Sequence, residues 1–346
     1  MGEIGSAKEI AEKVRAGHVR TVARLITLAE NHDPIAVKAI KQIYPDCGKA
    51  HLIGITGPPG VGKSSLIAAL VREFRRREKS VGVVAVDPSS PFSGGAFLGD
   101  RARMVELSGD KDVFIRSLAS RGKMGGLSSA VNDTADILDV FGKEIILIET
   151  VGAGQSEVDV AGIAHTVLVV LMPGYGDQIQ AMKAGIMEIA DLLVVNKADK
   201  SGADATVADL SVVQSLACTS GKGEAWPVPV LKTSTVTGEG IEELVDAIAA
   251  HYEFIREHRL LAQKSRDRRT KEFLDILTQR IRDEFMEVME KDQTLQHWVQ
   301  KIGNLELDPY SASEQVITMI KEVRKLKFER RMNAKLNKMK RVVNGN

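Results

Sequence analysis

One octapeptide restricts this chain more than any other feature. Gly57-Pro58-Pro59-Gly60-Val61-Gly62-Lys63-Ser64 matches G-x-x-x-x-G-K-[ST] in full. An apolar run at 52–56 precedes it, and a helical pattern opens near Lys63. A glycine-rich turn between strand and helix directs backbone N–H groups inward at the positive end of the helix dipole, which suits phosphate oxygens. Gly60 and Gly62 let the backbone approach those oxygens without a Cβ in the way. In this pattern the Lys63 ammonium reaches the β- and γ-phosphates of a nucleotide, and the Ser64 hydroxyl takes Mg2+. Residues 57–65, Ser65 included, form the expected phosphate-binding set.

The surrounding pattern predicts the scaffold. Short β-branched runs at 52–56, 81–86, 113–115, 144–149, 167–172, 192–196 and 228–233 alternate with longer helical segments. Runs this apolar suit strands buried on both faces, and the intervening helices suit crossover connections. The expected fold class is α/β, a doubly wound, mostly parallel sheet. Residues 6–46 read as helical, and helices are expected again at 241–262, 266–291 and 311–341, with Asp308-Pro309 interrupting before the last. The expected organisation is a helical segment at 1–46, the phosphate-loop domain at 47–250 and a helical extension at 251–346.

A second motif sits on the same pattern. Asn196-Lys197-Ala198-Asp199 terminates the run at 192–196. A carboxylate here accepts from guanine N1–H and its exocyclic amino group, whereas adenine would set a lone pair against it; unmatched polar groups make that discrimination large. The Lys197 stem can cover the base, and Asn196 can tie this loop to the phosphate loop. Ser234 and Thr235 close the next strand, where backbone N–H groups can meet guanine O6. The expected ligand is therefore GTP or GDP.

Acidic residues follow several other strands. Asp87 ends the run at 81–86, Glu149 ends 144–149, and Asp100 follows a Gly-rich stretch. Ligands of open parallel sheets bind outside the carboxyl ends of the strands, and carboxylates there can hold Mg2+ and its waters. Each would equally serve as an acid capping the helix that follows. Gly152 can offer its N–H to a γ-phosphate, in a loop whose order would then depend on that phosphate. The loop at 173–178, with Asp177 and then Lys183 beyond it, is a plausible moving element.

Composition excludes other classes. Aromatic residues are 4% of the chain and the net charge is +1, which argues against nucleic acid as a partner. Cys47 and Cys218 are the only cysteines, so a disulfide framework is not expected and a reducing compartment is. The acidic, unpatterned N-terminus does not read as a signal or transit peptide, and no apolar run reaches the length of a membrane span. These features predict a cytoplasmic protein without a membrane partner. Residues 321–341 carry ten Lys and Arg against two Glu, read as a solvated helix face or a subunit contact.

Taken together, 57–64 (GPPGVGKS), 87–90 (DPSS), 94–104 (GGAFLGDRARM), 149–157 (ETVGAGQSE), 173–183 and 196–199 (NKAD) resemble the MeaB/ArgK/MMAA family of GTPases, within the SIMIBI class of P-loop proteins. The resemblance covers residues 50–240. It implies a chaperone that docks on an adenosylcobalamin-dependent acyl-CoA mutase, typically methylmalonyl-CoA mutase, gates cofactor loading from an adenosyltransferase and protects the mutase from inactivation. Adenosylcobalamin would belong to the mutase and not to this chain. The resemblance also implies a homodimer with the C-terminal helices as its arm. Ser64, Asp87, Asp100 and Glu149 match the Mg2+ sphere, and Asp177 and Lys183 match the switch loop that couples nucleotide state to the client. Phe97 and Arg101 depart from the common pattern, which leaves an isobutyryl- or hydroxyisobutyryl-CoA mutase as alternative clients.

Hydrolysis would be in-line attack of water on the γ-phosphate, with Mg2+, Lys63 and loop amides neutralising charge; Glu149 holds its place in that set. Gln155 is a candidate for positioning the water, although a structural or partner-facing role suits it as well. A slow intrinsic rate that rises on partner binding is expected. Three other readings remain at this stage: a nickel-type metal-insertion GTPase, which would want a Cys/His cluster, an ATP-dependent transport-associated kinase, which would have no use for Asp199, and a pure interaction module that binds nucleotide without hydrolysing it.

Overall fold

The computed structural model describes residues 5–87, 107, 109–119, 126–150, 159–174, 188–217, 226–319 and 321. Seven strands form one sheet: β1 (His51–Thr56), β2 (Val81–Asp87), β3 (Val113–Ala119), β4 (Ile145–Glu149), β5 (Thr166–Leu171), β6 (Leu192–Asn196) and β7 (Val230–Thr233). Their order is β3-β2-β4-β1-β5-β6-β7, and every pairing is parallel. The α/β, doubly wound expectation therefore holds.

The two-residue period of the strands explains why the sheet is buried on both faces. Ile53, Ile55, Leu147, Leu168 and Val170 pack on one side with α4 (Lys63–Arg76) and α7 (Ile241–Glu257). Leu52, Ile146, Ile148, Val167 and Val169 pack on the other with α1 (Ala7–Arg15), α2 (Val19–Glu30), α3 (Pro34–Ile43) and α5 (Gly126–Val140). α6 (Ala203–Ala217) joins β6 to β7. Because the chain passes from β1 toward β2 on one side and later to β5 on the other, the carboxyl end of β1 lies at the reversal of strand order. Open parallel sheets bind their ligands at that place.

The helical stretch expected at 6–46 is divided by local chemistry. Ser6 and Glu9 form a capping box at the start of α1, and Gly17, at φ 78°, turns the chain out of it. Asp33 accepts from the Ile35 N–H at 2.8 Å, and Pro34 opens α3. β3 runs to Ala119, beyond the expected 113–115. Polar Arg116 and Ser117 interrupt its apolar run, which an edge strand tolerates. β7, at the other edge, pairs only from Val230 and is largely half-buried.

The chain divides into two compact units, Met1–Leu277 and Thr278–Asn346. α8 (Leu260–Lys291) crosses the division. Two residues, His258 and Arg259, separate it from α7, and Arg259 takes a left-handed φ of 59°. In the second unit Asp292 caps α9 (Gln293–Gly303) by accepting from the Thr294 and Leu295 N–H groups. Residues 309–319 are helical, with Asp308 accepting from Ser311 N–H at 2.9 Å. Among the described residues no helix is long and apolar enough to cross a membrane.

Candidate nucleotide site

The phosphate loop spans the gap between β1 and α4. Val61 is fully buried against Leu66 and Ile67 and anchors the loop in the core. Gly57 has φ 141°, and a Cβ there would run into the Val170 carbonyl of β5. Gly62 has φ 96°, and a Cβ there would lie 2.6 Å from Asn196 Nδ2. Both glycines are thus required by conformation and by close approach. Pro59 and Gly60 form the exposed tip. The Lys63 ammonium crosses beneath the loop and donates to the carbonyls of Gly57 (2.7 Å) and Pro58 (3.0 Å). A buried cation at the start of α4, at the positive end of that helix, makes this end of the sheet attractive to phosphate.

Ser64 and Glu149, far apart in sequence, meet here. Ser64 Oγ donates to Glu149 Oε1 at 2.6 Å. Parallel pairing sets the encounter, because Ile55 of β1 lies beside Glu149 of β4. Thr150 adds a bond from its N–H to the Ile55 carbonyl and one from its hydroxyl to Thr56 Oγ1, at 3.2 and 3.1 Å. A hydroxyl and a carboxylate side by side are hard oxygen donors of the kind Mg2+ takes. Asp87 closes β2 at the same edge of the sheet. Its side chain, and Asp100, Gly152, Gln155, Asp177 and Lys183 entirely, lie outside the described residues.

The second motif is fastened to the first. Asn196 is fully buried; its Nδ2 donates to the Val61 carbonyl at 2.9 Å, and its Oδ1 accepts from Thr233 Oγ1 at 3.2 Å. Lys197 has φ 61°, and its ammonium donates to the Gly60 carbonyl at 2.6 Å. Its stem thereby runs alongside the phosphate loop. Asp199 accepts from Ser234 Oγ at 2.7 Å, and that bond holds its carboxyl below the usual carboxylate range. The carboxylate is therefore ionised at neutral pH, as a double acceptor for guanine must be. Ser234 Oγ also accepts from the Val236 and Thr237 N–H groups, ordering the loop that carries Thr235.

Sequence reasoning singled out Asn196 and Ser234 and read Thr233 as the end of the same strand. It missed Thr150, the bond from the Thr233 hydroxyl to Asn196, and Met172, whose sulfur lies 3.6 Å from the Lys197 ammonium. Their common signal was available: each stands at or just beyond the carboxyl end of a strand. It also missed a buried chain at the opposite end of the sheet. There His51 Nε2 lies 2.7 Å from Thr166 Oγ1, which lies 2.8 Å from His251 Nδ1, and His251 Nε2 lies 3.2 Å from Asp191.

Known proteins resemble this chain. A family model described as "Methylmalonyl Co-A mutase-associated GTPase MeaB" matches residues 22–290. A Pyrococcus horikoshii protein described in general terms as a GTPase is 46% identical over 312 residues, covering 90% of this chain and 98% of its own. The methylmalonic aciduria type A homolog, mitochondrial, of Caenorhabditis elegans is 31% identical over 315 residues, 86% of this chain and 78% of that one. Among solved structures, a LAO/AO transport system kinase superposes with a TM-score of 0.68 at 24% identity, covering 92% of this chain and all of that one. At that identity the likeness speaks to the fold.

Proposed function

The chain belongs to the MeaB family of GTPases, and from that premise we propose that its hydrolysis of GTP times the loading and protection of an adenosylcobalamin-dependent acyl-CoA mutase. The observation that carries this reading is the match over residues 22–290 to a family described by its association with methylmalonyl-CoA mutase. The C. elegans relative, named for methylmalonic aciduria, supports the same client. A related isobutyryl- or hydroxyisobutyryl-CoA mutase fits the same chemistry.

In this reading residues 57–65 wrap the phosphates, and Asn196, Lys197, Asp199, Ser234 and Thr235 hold the guanine. Lys63 neutralises charge developing on the transferred phosphoryl group, a contribution that is strongest where water is excluded. Ser64 and Glu149, already in contact, are the side chains that would hold Mg2+, with Asp87 and Asp100 as its further acidic neighbours. Mg2+ held there would supply positive charge against the phosphate groups. The Asn196 bridge makes the guanine loop and the phosphate loop one rigid body, so both ends of the nucleotide are held together. Gly152 would offer its N–H to the γ-phosphate, Gln155 is the candidate for positioning the attacking water, and Asp177 and Lys183 would carry nucleotide state to the client.

Residues 251–346 would form the arm of a homodimer. Exposed Ile281, Met286 and Val288 on α8 support that role. The direct test is transfer of adenosylcobalamin from adenosyltransferase to apo-mutase, followed by the cobalamin absorbance spectrum. Transfer that depends on this chain and differs between GTP and GDP is expected. Transfer indifferent to the chain, with no complex on gel filtration in either nucleotide state, would remove the proposal.

A further inference from the structure

At the amino ends of the strands, away from the nucleotide loop, lies a cavity of about 240 Å3 within the first compact unit. Tyr44, Ala50, Leu52 and Ala135 give it apolar walls, and Ser265 of α8 borders it. The polar groups that line it are unequally matched. Asp139 accepts from the N–H groups of Gly48, Lys49 and Ala50. Asp136 accepts from the guanidiniums of Arg268 and Arg269. Its carboxylates are therefore already satisfied.

Two of its donors are not. His165 is only 6% exposed, and its Nδ1 accepts from the Leu52 N–H at 3.2 Å. That bond places the ring proton on Nε2, for which the described residues supply no acceptor. Burial, reinforced by the positive charges of Arg268 and Lys264, holds the imidazole pKa down to about 3, so the ring stays a neutral donor. Arg268 is 8% exposed; its Nε donates to Asn132 and its Nη2 to Asp136, at 2.8 and 2.9 Å. Among the described residues its Nη1 meets no acceptor. Neither donor is bonded among the described residues, so both remain open to an acceptor that enters the cavity.

We infer that this cavity binds a small organic carboxylate, whose oxygens accept from His165 Nε2 and Arg268 Nη1 and whose short carbon body lies against Tyr44, Leu52 and Ala135. The volume falls below the range of about 300–1,000 Å3 usual for larger ligands, so an acid of a few carbons fits and a nucleotide does not. A guanidinium beside a neutral donor is suited to a planar carboxylate. The walls come from the segment after α3, from the amino ends of β1 and β5, from α5 and from the first half of α8. An occupant would therefore fasten the start of α8 to the core and stabilise the unit by mass action. The inference is independent of the mutase and of the rate of GTP hydrolysis.

Calorimetric titration of the full chain, saturated with GDP so that the phosphate loop is filled, tests it with sodium acetate, propionate and succinate. Sodium chloride at matched ionic strength, propionamide and ethylammonium chloride are the controls. Saturable binding of at least one carboxylate, one per chain, is expected, together with a rise in melting temperature. Ser265→Leu, which fills the cavity and leaves the charged pairs in place, should weaken that binding by about tenfold or more and abolish the rise. His165→Phe should do the same, and Ser265→Leu decides the matter if the His165 variant does not fold. Absence of saturable binding by all three acids overturns the inference. So does equal binding of the amide or the ammonium probe, or unchanged binding by Ser265→Leu.

Discussion

Gly62→Ala should damage the nucleotide site from two directions at once. The residue has φ 96°, and its added Cβ would lie 2.6 Å from Asn196 Nδ2. A left-handed conformation costs a residue with a side chain about 1–2 kcal/mol. Displacing Asn196 breaks its 2.9 Å bond to the Val61 carbonyl in a fully buried place. A buried polar group left unsatisfied costs a further 1–3 kcal/mol or so. The sum, about 2–5 kcal/mol, corresponds to a loss in GDP affinity of roughly thirtyfold to several thousandfold if the bound loop must keep its present form. Fluorescence titration with a labelled GDP measures it. The sharper check is the double variant with Asn196→Ala, which removes the atom the new methyl would strike. Its loss should be smaller than the sum of the two single losses, because the sites share one contact. Wild-type affinity in Gly62→Ala, or strict additivity in the double variant, would refute the reasoning.

Three other outcomes follow from the same geometry. Asp199→Asn should weaken guanine nucleotide binding by about a hundredfold or more and improve binding of xanthine nucleotides, whose C2 carbonyl the new amide can meet; competition against labelled GDP measures both. Asp136→Ala leaves Arg268 and Arg269 without their shared carboxylate. Breaking a buried pair costs about 3–5 kcal/mol, so the melting temperature of the first unit should fall by on the order of 10 °C. Half-buried Asp133 on α5 has its pKa pushed up to about 7, by burial first and then by Glu272 and Asp136, against the opposing pull of Arg269. The folded chain thus binds this proton more tightly than the unfolded chain, and its contribution to stability is lost as pH rises from about 4 through 7. Asp133→Asn should flatten that part of a denaturant-midpoint profile, and an unchanged slope would count against the assignment.

What could be read in advance depended on whether the chemistry was local. The phosphate loop and the Asn196–Asp199 motif are contiguous, and their glycines, lysines and carboxylates have few other uses in that order. The buried strands were equally legible, since 145–148 and 192–195 are apolar throughout and each strand is paired on both sides. The edge strands were less so, because Arg116 and Ser117 break the pattern of β3 while remaining compatible with a strand paired on one side. Groups assembled from distant segments were hidden. His51, His165 and His251 looked scattered along the chain, yet parallel pairing of β1 with β5 and the packing of α7 bring them together. The Asp136–Arg268–Arg269 cluster needed the path of α8, which periodicity does not give. The contact between Ser64 and Glu149 was half legible: each stood at a promising strand or helix end, but only the β1–β4 pairing joins them.

The most direct measurement is multiple-turnover phosphate release from GTP and from ATP, with and without the cobalamin-dependent mutase of the same organism. The account predicts slow turnover of GTP by the chain alone, a clear rise when the mutase is added, little turnover of ATP, and loss of the rise in Ser64→Ala. Rapid turnover by the isolated chain that the mutase leaves unchanged, or equal use of ATP, would contradict it.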